Sequence, residues 1–467
     1  MPSVRIVGGG LAGCEAAWQI ASRGIAVTLS EMRPVRPTQV HQTDHLAELV
    51  CSNSLRADKI DNAVGLLKAE MRRLGSLVLR AADATRVPAG AALAVDRHQF
   101  SAFITREITA HPHITVVREE VHEMPESRGP EHPVIIATGP LTSPALAAAI
   151  AASVGQDYLY FYDAISPIVL AESIDREKVF RASRWGRSLG APAEPAGPAC
   201  GVDDGEGDYL NCPMTVDEYR RFYAALTGAE KATVHDLDRE RFFEGCLPIE
   251  VLAHRGEDTL RFGPMKPVGL DDPRTGRRPY AVVQLRQDNL AADHYSLVGF
   301  QTQLKWGEQE RVLRMIPGLE QAEFVRFGMV HRNTYINGPT ILHETWQTRA
   351  RPDLLFAGQI SGVEGYVESA ASGLLAGISA AALAAGGTPR PAPRTTAIGA
   401  LAYYVSHARA GGYEPSNITF GIMEPLARAP RNKLARKLAI SARALADLQA
   451  WLERRRAGHE LEPVPRR

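Results

Sequence analysis

The first 33 residues combine apolar runs and small residues in a pattern that predicts two strands with a helix between them. Apolar residues fill VRIV and IAVTL, and an Ala-rich segment after a glycine turn joins them. Short apolar runs joined in this way are typical of a βαβ unit with buried, parallel strands. A further apolar run, PVIIATGP at residues 133–140, ends in a glycine turn and predicts another strand of the same kind.

The pattern changes in the middle of the chain and later returns. Residues 208–330 mix strand-like runs such as YAVVQL with helical segments such as VDEYRRFYAAL. The α/β pattern resumes at DLLFAGQISG, where an apolar strand and a glycine turn precede a long helix of small residues. We therefore expect an α/β fold: a Rossmann-like dinucleotide-binding domain split in sequence, in parts 1–170 and 331–467, with an inserted α+β domain at 171–330.

Two segments differ from their surroundings in composition. Residues 186–207 are rich in Gly, Pro and Ala, which indicates an exposed loop or insertion. The tail at 428–456 has a helical pattern with the basic clusters RNKLARK and ERRR. This helix is either a site for nucleic-acid phosphates or a solvated amphipathic face.

Composition limits the classes of function. The 467 residues include 53 Lys and Arg and 53 Asp and Glu, so a nucleic-acid site has to be a local basic patch. The five cysteines lack CxxC spacing, which fits thiols in a reducing cytoplasm. We recognise no secretory signal and no apolar run of about 20 residues. The sequence therefore predicts a cytoplasmic protein with no membrane segment and no obligate protein partner.

The glycine turn after the first strand carries the GxGxxG pattern. The first glycine permits the tight turn, the second lets the backbone approach a pyrophosphate, and the third packs helix on strand. An acidic residue at the end of the second strand is placed to bind a ribose hydroxyl. The residues are Gly8, Gly10, Gly13 and Glu31. An ordinary glycine-rich turn is the alternative, and the acid and the helix that follows favour a dinucleotide.

A second glycine turn favours FAD over NAD. It precedes the helical segment ESAASG and resembles the second cofactor segment of flavoproteins, where backbone amides at a helix start face the flavin. The candidate residues are Gly358, Gly362, Glu364 and Gly365. A small-residue helix that packs closely on another helix is the alternative.

Long stretches of the chain resemble the TrmFO family of folate- and FAD-dependent tRNA uridine methyltransferases, distant relatives of the GidA flavoproteins. They include EMRPVRPTQVHQTDHLAELVCSNSLRAD, FFEGCLPIEVLAHRG, RFGPMKPVGL, VGFQTQLKWGEQ, HRNTYIN and AGQISGVEGYVESAASGLLAGI. The resemblance implies C5 methylation of uridine 54 in the T-loop of tRNA. It also implies FAD as cofactor, 5,10-methylenetetrahydrofolate as carbon donor and NADH or NADPH as reductant.

The resemblance also identifies two cysteines as catalytic. Uracil C5 is a poor nucleophile, and attack of a thiolate at C6 makes C5 able to capture an electrophilic carbon. Cys246 matches the family's catalytic cysteine and is our candidate nucleophile, and Cys51 matches the second, with C5 proton abstraction or flavin protection as its alternative roles. The other three cysteines, which are Cys14, Cys200 and Cys212, are expected to be structural.

Contacts to RNA and folate are expected from cations and amides near aromatic residues, which suit a phosphate, a pterin or an extruded base. The candidates are Lys266, Arg286, Trp306, Arg332 and Asn333. Each charged candidate has a solvated surface position as its alternative. His41 and His45 flank Asp44 in VHQTDH, which we interpret as a loop at the flavin pocket rather than a metal site.

Other functions remain open at this point. The same fold also serves a GidA-like modifier of the wobble uridine and a uridine methyltransferase acting on ribosomal RNA. A flavin-bearing RNA-binding module without catalysis is a further alternative, and the basic tail is compatible with it.

Overall fold

A computed structural model describes residues 2–38, 40–155, 159–188, 207–232, 247–411 and 413–457. Its strands are β1 (Ser3–Val7), β2 (Ala26–Glu31), β3 (Ser54–Ala57), β4 (Arg86–Val87), β5 (Ala92–Val95), β6 (Ile114–Arg118), β7 (Val134–Ile136), β8 (Leu159–Ala164), β9 (Ile168–Leu170), β10 (Phe180–Ala182), β11 (Tyr209–Met214), β12 (Ala281–Gln287), β13 (His294–Leu297), β14 (Phe324–Arg326), β15 (Val330–Tyr335) and β16 (Leu354–Phe356). Its α-helices are α1 (Leu11–Ala21), α2 (Ala63–Arg73), α3 (Leu77–Ala84), α4 (Arg97–Thr109), α5 (Pro144–Val154), α6 (Val216–Thr227), α7 (Ile249–Ala253), α8 (Thr259–Phe262), α9 (Trp306–Leu313), α10 (Gly338–Ile341), α11 (Tyr366–Ala384), α12 (Ala397–His407) and α13 (Lys433–Ala457).

The first sheet is parallel throughout and has the strand order β16-β7-β1-β2-β6. Its central strands are short and apolar because helices cover them, as the sequence pattern predicts. The chain runs outward from β1 to β2 and β6, and then returns to β7 on the other side of β1. Such a reversal opens a crevice at the carboxyl ends of the two central strands, where ligands bind in open α/β sheets.

Helices α1 and α11 pack against each other through small residues. A Cβ built on Gly373 would lie 2.2 Å from the carbonyl oxygen of Ala12, and one built on Gly377 would lie 2.8 Å from Ala16 Cα. No larger side chain fits between the two backbones at these positions. The close approach directs the amino-terminal ends of both helices toward the crevice beside β1.

The second sheet has the order β10-β11-β12-β13-β9-β14, with antiparallel neighbours. Helices α6 and α9 cover one of its faces and enclose a separate hydrophobic core that contains Phe222, Leu285 and Val312. Cys212 lies in this core and is fully buried. The strands of this sheet come from residues 168–326, and the expected domain boundaries stay predictions.

Smaller elements complete the fold. Strands β3, β5 and β4 form an antiparallel sheet, and β15 pairs with β8. The basic tail forms α13, in agreement with the helical pattern. Helix α11 is long and apolar enough to cross a membrane by length and composition, contrary to our expectation that no such run exists, but 89% of its apolar window is buried inside the protein.

Candidate functional site

A cavity of about 450 Å³ lies between the carboxyl edge of the first sheet and the second sheet. This volume is typical of a site for a cofactor or a small substrate. Many of the residues to which the sequence pointed line the cavity. These are Gly8, Gly10, Glu31, Cys51, Arg286, Gly358, Glu364 and Gly365.

The turn between β1 and α1 has the geometry that the GxGxxG pattern predicts. Gly8 has a φ of 109°, and a Cβ on it would lie 2.4 Å from the carbonyl oxygen of Ala137, which follows β7. Gly13 packs its α-carbon against the carbonyl of Gly8, whereas Gly10 has open space where a Cβ would be. No side chain caps α1 at Gly10. Its first backbone N–H groups therefore face the cavity and suit a phosphate.

Glu31 ends β2 and is almost fully buried beside this turn. Its Oε2 accepts a hydrogen bond of 2.8 Å from the Gly9 N–H, and its Oε1 accepts from the backbone N–H and Nε of Arg33 at 3.0 and 2.8 Å. Burial opposes ionisation, but the charge and hydrogen bonds of Arg33 outweigh it and lower the pKa of Glu31. The ionised carboxylate keeps acceptor capacity on Oε2 for a ribose hydroxyl.

The second glycine turn joins β16 to α11. Gly358, Gly362 and Gly365 have φ values of 78°, 92° and 103°, in the left-handed region that favours glycine. The α-carbon of Gly358 lies close to Ala12 of α1, so the two glycine turns adjoin each other. Helix α11 also lacks a side-chain cap at Gly365. Both helices therefore present backbone N–H groups to one cavity.

Cys51 lies in a loop that meets the start of α11. The hydroxyl oxygen of Tyr366 accepts hydrogen bonds from the N–H groups of Cys51 and Ser52, at 2.7 and 3.2 Å. On the other side of the loop, Arg286 in β12 donates from Nη2 to Ser52 Oγ and from Nε to Asn53 Oδ1, both at 2.8 Å. These contacts hold Cys51 against the cavity from two directions.

Two buried guanidinium groups lie beside the Cys51 loop. Arg97 forms a bidentate ion pair with Asp288, at 2.8 Å for each bond, and donates to the carbonyl oxygen of Leu49 at 2.9 Å. Burial acts against the charge of Arg97, but Asp288 outweighs it and raises the pKa of Arg97. Arg286 has no ion pair with a carboxylate in the described part of the chain, and burial lowers its pKa. Among the described residues, Arg286 therefore places a guanidinium group without a carboxylate partner beside the loop of Cys51.

The other candidate residues either do not line the cavity or lie outside the described part of the structure. Lys266 and Trp306 do not line it, and Trp306 is exposed and stacked on Phe327 with ring centroids 5.9 Å apart. Asn333 is fully buried, with no hydrogen-bond partner for either side-chain polar atom among the described residues. Arg332 lies in β15, and its side chain is outside the described part of the structure, as are Cys246 and Cys200.

Within the described ranges no three His, Cys, Asp or Glu side chains form a cluster suited to a metal, and the absence of a metal stays a prediction. His41 lines the cavity, as expected for a loop at the cofactor pocket. Burial, together with the nearby charge of Arg33, lowers the pKa of His41 to about 4, so it is neutral at pH 7.

Sequence reasoning did not identify Arg97, Tyr366 or Ser52 as site residues. Tyr366 directly follows the predicted cofactor residue Gly365, and Ser52 directly follows Cys51. Proximity in sequence was therefore the available signal for these two. Arg97 carried no such signal, because its partner Asp288 lies 191 residues away.

Comparisons with known proteins agree with this geometry. The family model of GIDA, glucose inhibited division protein A, matches residues 3–388. A protein of Heliobacterium modesticaldum is 56% identical over 450 residues, which cover 96% of this chain and 98% of the relative. A protein of Symbiobacterium thermophilum is 57% identical over 454 residues, which cover 96% of this chain and 97% of the relative. Both are named methylenetetrahydrofolate--tRNA-(uracil-5-)-methyltransferase TrmFO. The chain belongs to the TrmFO family.

Solved structures place the TrmFO fold beside that of GidA. GidA of Aquifex aeolicus in its form II crystal has a TM-score of 0.68 and 18% identity, covering 97% of this chain and 76% of the GidA chain. The form I crystal of the same protein has a TM-score of 0.64 and 18% identity, and the match covers 97% of this chain and 78% of the GidA chain. At this identity the likeness concerns the fold alone, and it confirms the Rossmann-like α/β class expected from sequence.

Proposed function

We propose that this chain is an FAD-dependent enzyme that methylates C5 of uridine 54 in the T-loop of tRNA. It takes the carbon from 5,10-methylenetetrahydrofolate, with NADH or NADPH as reductant. The observation that carries the proposal is a single cavity lined by two glycine turns, an acidic residue for a ribose and Cys51. The names of two relatives that are 56% and 57% identical support the same donor and the same acceptor base.

The residues of the cavity fit FAD. The uncapped start of α1 suits the pyrophosphate, Glu31 suits the ribose hydroxyl, and the uncapped start of α11 suits the flavin ring. Gly10 leaves the space that a phosphate next to the backbone requires. When bound, the flavin supplies the electron transfer and the carrier chemistry that protein side chains lack.

The chain's own residues act on the uracil. A thiolate adds to C6, which makes C5 nucleophilic, and a second group takes the proton from C5 after the carbon has been transferred. The C6–sulfur bond then breaks and releases the thiolate, and a hydride that comes from NADH or NADPH completes the methyl group. We assign the first role to Cys246 and the second to Cys51, with protection of the flavin as the alternative for Cys51. In support of Cys246, the described residues that follow it contact the cavity wall: the Ile249 N–H donates to the carbonyl oxygen of Gln301, a lining residue, at 2.7 Å.

Reconstitution tests the proposal directly. Purified protein is incubated with an unmodified tRNA transcript and 14C-labelled methylenetetrahydrofolate, with and without NADH or NADPH. We expect a flavin absorption spectrum, label in tRNA that depends on reductant, and loss of label when U54 of the transcript is replaced by C. Label at the wobble position, label in ribosomal RNA only, or protein without flavin would contradict the proposal.

Cysteine variants test the residue roles in the same assay. Cys246→Ala and Cys51→Ala are expected to lower labelling by at least about 100-fold, since each removes a group that acts on the reacting ring. Cys212→Ala is the matched control, because its sulfur is buried in the core of the second sheet, away from the cavity. Wild-type rates in either of the first two variants would refute that assignment.

A further inference from the structure

Trp185 is an exposed aromatic residue in an unusual backbone conformation. It is 57% exposed and has a φ of 54°, a region that bulky side chains rarely adopt. The backbone N–H of Trp185 donates to the carbonyl oxygen of Gly269 at 3.0 Å, and a Cβ on Gly269 would lie 2.7 Å from the indole ring of Trp185. Glycine at 269 thus lets the ring lie flat on the backbone. A strained backbone conformation at an exposed residue, where little burial offsets its cost, is typical of functional positions.

Several cationic residues lie near Trp185. Arg187 places its guanidinium carbon 5.1 Å from the indole centroid. Within the described ranges, no ion pair with a carboxylate forms at Arg184, Arg187 or Lys266. The acidic residues that follow Lys266 in sequence are paired, Asp271 with Arg278 at 3.3 Å and Asp272 with Arg274 at 2.7 Å. Asp208 also lies beside this surface, where its carboxylate accepts a hydrogen bond of 2.6 Å from the Gly90 N–H. Among the described residues, three cations, Arg184, Arg187 and Lys266, thus accompany the one carboxylate of Asp208 at this surface.

Hydrogen bonds connect this surface to the cavity. Arg184 donates to Gln284 Oε1 at 3.0 Å, to the carbonyl oxygen of Val268 at 3.0 Å, and to that of Lys266. Gln284 and Arg286 are two residues apart in β12, so they lie on the same face about 7 Å from each other. Arg286 in turn holds Ser52, next to Cys51. The segment of Trp185 is thus connected along one sheet face to the Cys51 loop at the cavity.

We propose that the Trp185 surface, formed by Trp185, Arg187 and Lys266, binds the RNA nucleotides that flank the target uridine. The inference rests on the proposed function, because an extruded uridine needs its neighbouring nucleotides held outside the cavity. The indole ring stacks on a base, and the two cations bind phosphates. A stacking ring among unpaired cations is the combination that binds single-stranded nucleic acid without sequence preference.

Binding measurements on the flavin-loaded full chain test this surface. Anisotropy titrations with a labelled unmodified tRNA transcript are made at several salt concentrations. Trp185→Ala is expected to raise Kd by about 5- to 100-fold with an unchanged salt slope, since it removes a stacked base. Trp185→Phe retains most of the affinity. Arg187→Ala/Lys266→Ala is expected to reduce the slope of log Kd against log salt by about 1.4 to 1.8, since two phosphate contacts are lost.

A charge-matched control separates contact from overall charge. Arg220→Ala/Arg311→Ala removes the same charge from the second-sheet region, at positions paired with Glu257 and Glu308. This control should leave the salt slope at the wild-type value. An equal reduction of the slope in the control would overturn the assignment of Arg187 and Lys266.

Kinetics separates this inference from the proposed function. The surface variants should raise KM for tRNA, while flavin content and kcat at saturating tRNA stay at the wild-type values. If wild type methylates tRNA and the surface variants match it in Kd and KM, the surface proposal is wrong and the function stands. If wild type neither binds nor methylates tRNA, the proposed function fails and this inference fails with it.

Discussion

The contact between α1 and α11 predicts a large effect of one added methyl group. In Gly373→Ala the new Cβ would lie 2.2 Å from the Ala12 carbonyl oxygen and 2.6 Å from its α-carbon. Nonbonded carbon contacts need about 3.5 Å, so the helices have to separate by more than about 1 Å. The clash is with backbone, which no rotamer change relieves. We therefore expect a loss of about 3 kcal/mol in unfolding free energy, the upper end for overpacking.

The same substitution should weaken FAD binding, because both helix starts face the cavity. Urea unfolding of the flavin-free protein and flavin titration measure the two effects. Gly307→Ala is the matched control: Gly307 is also helical, has nothing within 4 Å of a built Cβ, and should gain about 0.4–1 kcal/mol. If Gly373→Ala unfolds at the wild-type urea concentration and binds flavin equally well, the tight packing of the two helices is refuted.

Three further predictions concern the cavity wall. The lowered pKa of His41 means that its stabilising contribution is complete above pH 6.5 and is lost as pH falls through about 4. His41→Gln should therefore lose less stability on acidification across that window, by up to about 1.4 kcal/mol per pH unit in urea unfolding, and equal slopes would contradict this. Tyr366→Phe removes the shared acceptor of the Cys51 and Ser52 N–H groups. Tyr366→Phe should lower the free energy of unfolding by about 1–3 kcal/mol and slow methylation at unchanged flavin content. A wild-type methylation rate would show that the loop does not need this hydrogen bond. In Arg286→Lys the ammonium group lacks the planar pair of donors with which the guanidinium binds Ser52 and Asn53. We therefore expect the rate of single-turnover methylation to fall by about 100-fold with flavin retained. Full activity in this variant would show that Arg286 does not position the loop.

Local patterns were sufficient to predict the nucleotide turns. Gly13 is required by its contact with Gly8 inside one βαβ unit, and Gly8 by its φ of 109° in the turn, so a short window of sequence contains a reason for each. The approach of Gly8 to Ala137 after β7 lies outside that window. The second turn at Gly358–Gly365 was predictable for the same reason. The parallel strands followed from apolar runs that end in glycine.

Long-range contacts were beyond the sequence pattern. Cys51 and Tyr366 are 315 residues apart, and nothing local to either residue indicates that they meet. Asn333 was expected at a substrate contact because of the aromatic near it in HRNTY, which stays a prediction. Its burial, which the sequence pattern did not indicate, depends on the pairing of β15 with a distant strand. Trp185, which precedes the Gly-rich segment 186–207, was not identified from the sequence, since its exposure and its positive φ have no sequence signature.

The position of Cys51 depends on both sheets. On the first-sheet side, Tyr366 accepts a hydrogen bond from the loop. On the second-sheet side, Arg286 of β12 donates to Ser52, and Asp288, which directly follows β12, pairs with Arg97 beside the loop. The Arg97–Asp288 pair is buried, so breaking it would leave an uncompensated charge at a cost of about 3–5 kcal/mol. Separation of the two sheets would break that pair and release Ser52 together. The same buried contacts that dock the second sheet therefore also bring Cys51 to the cavity wall.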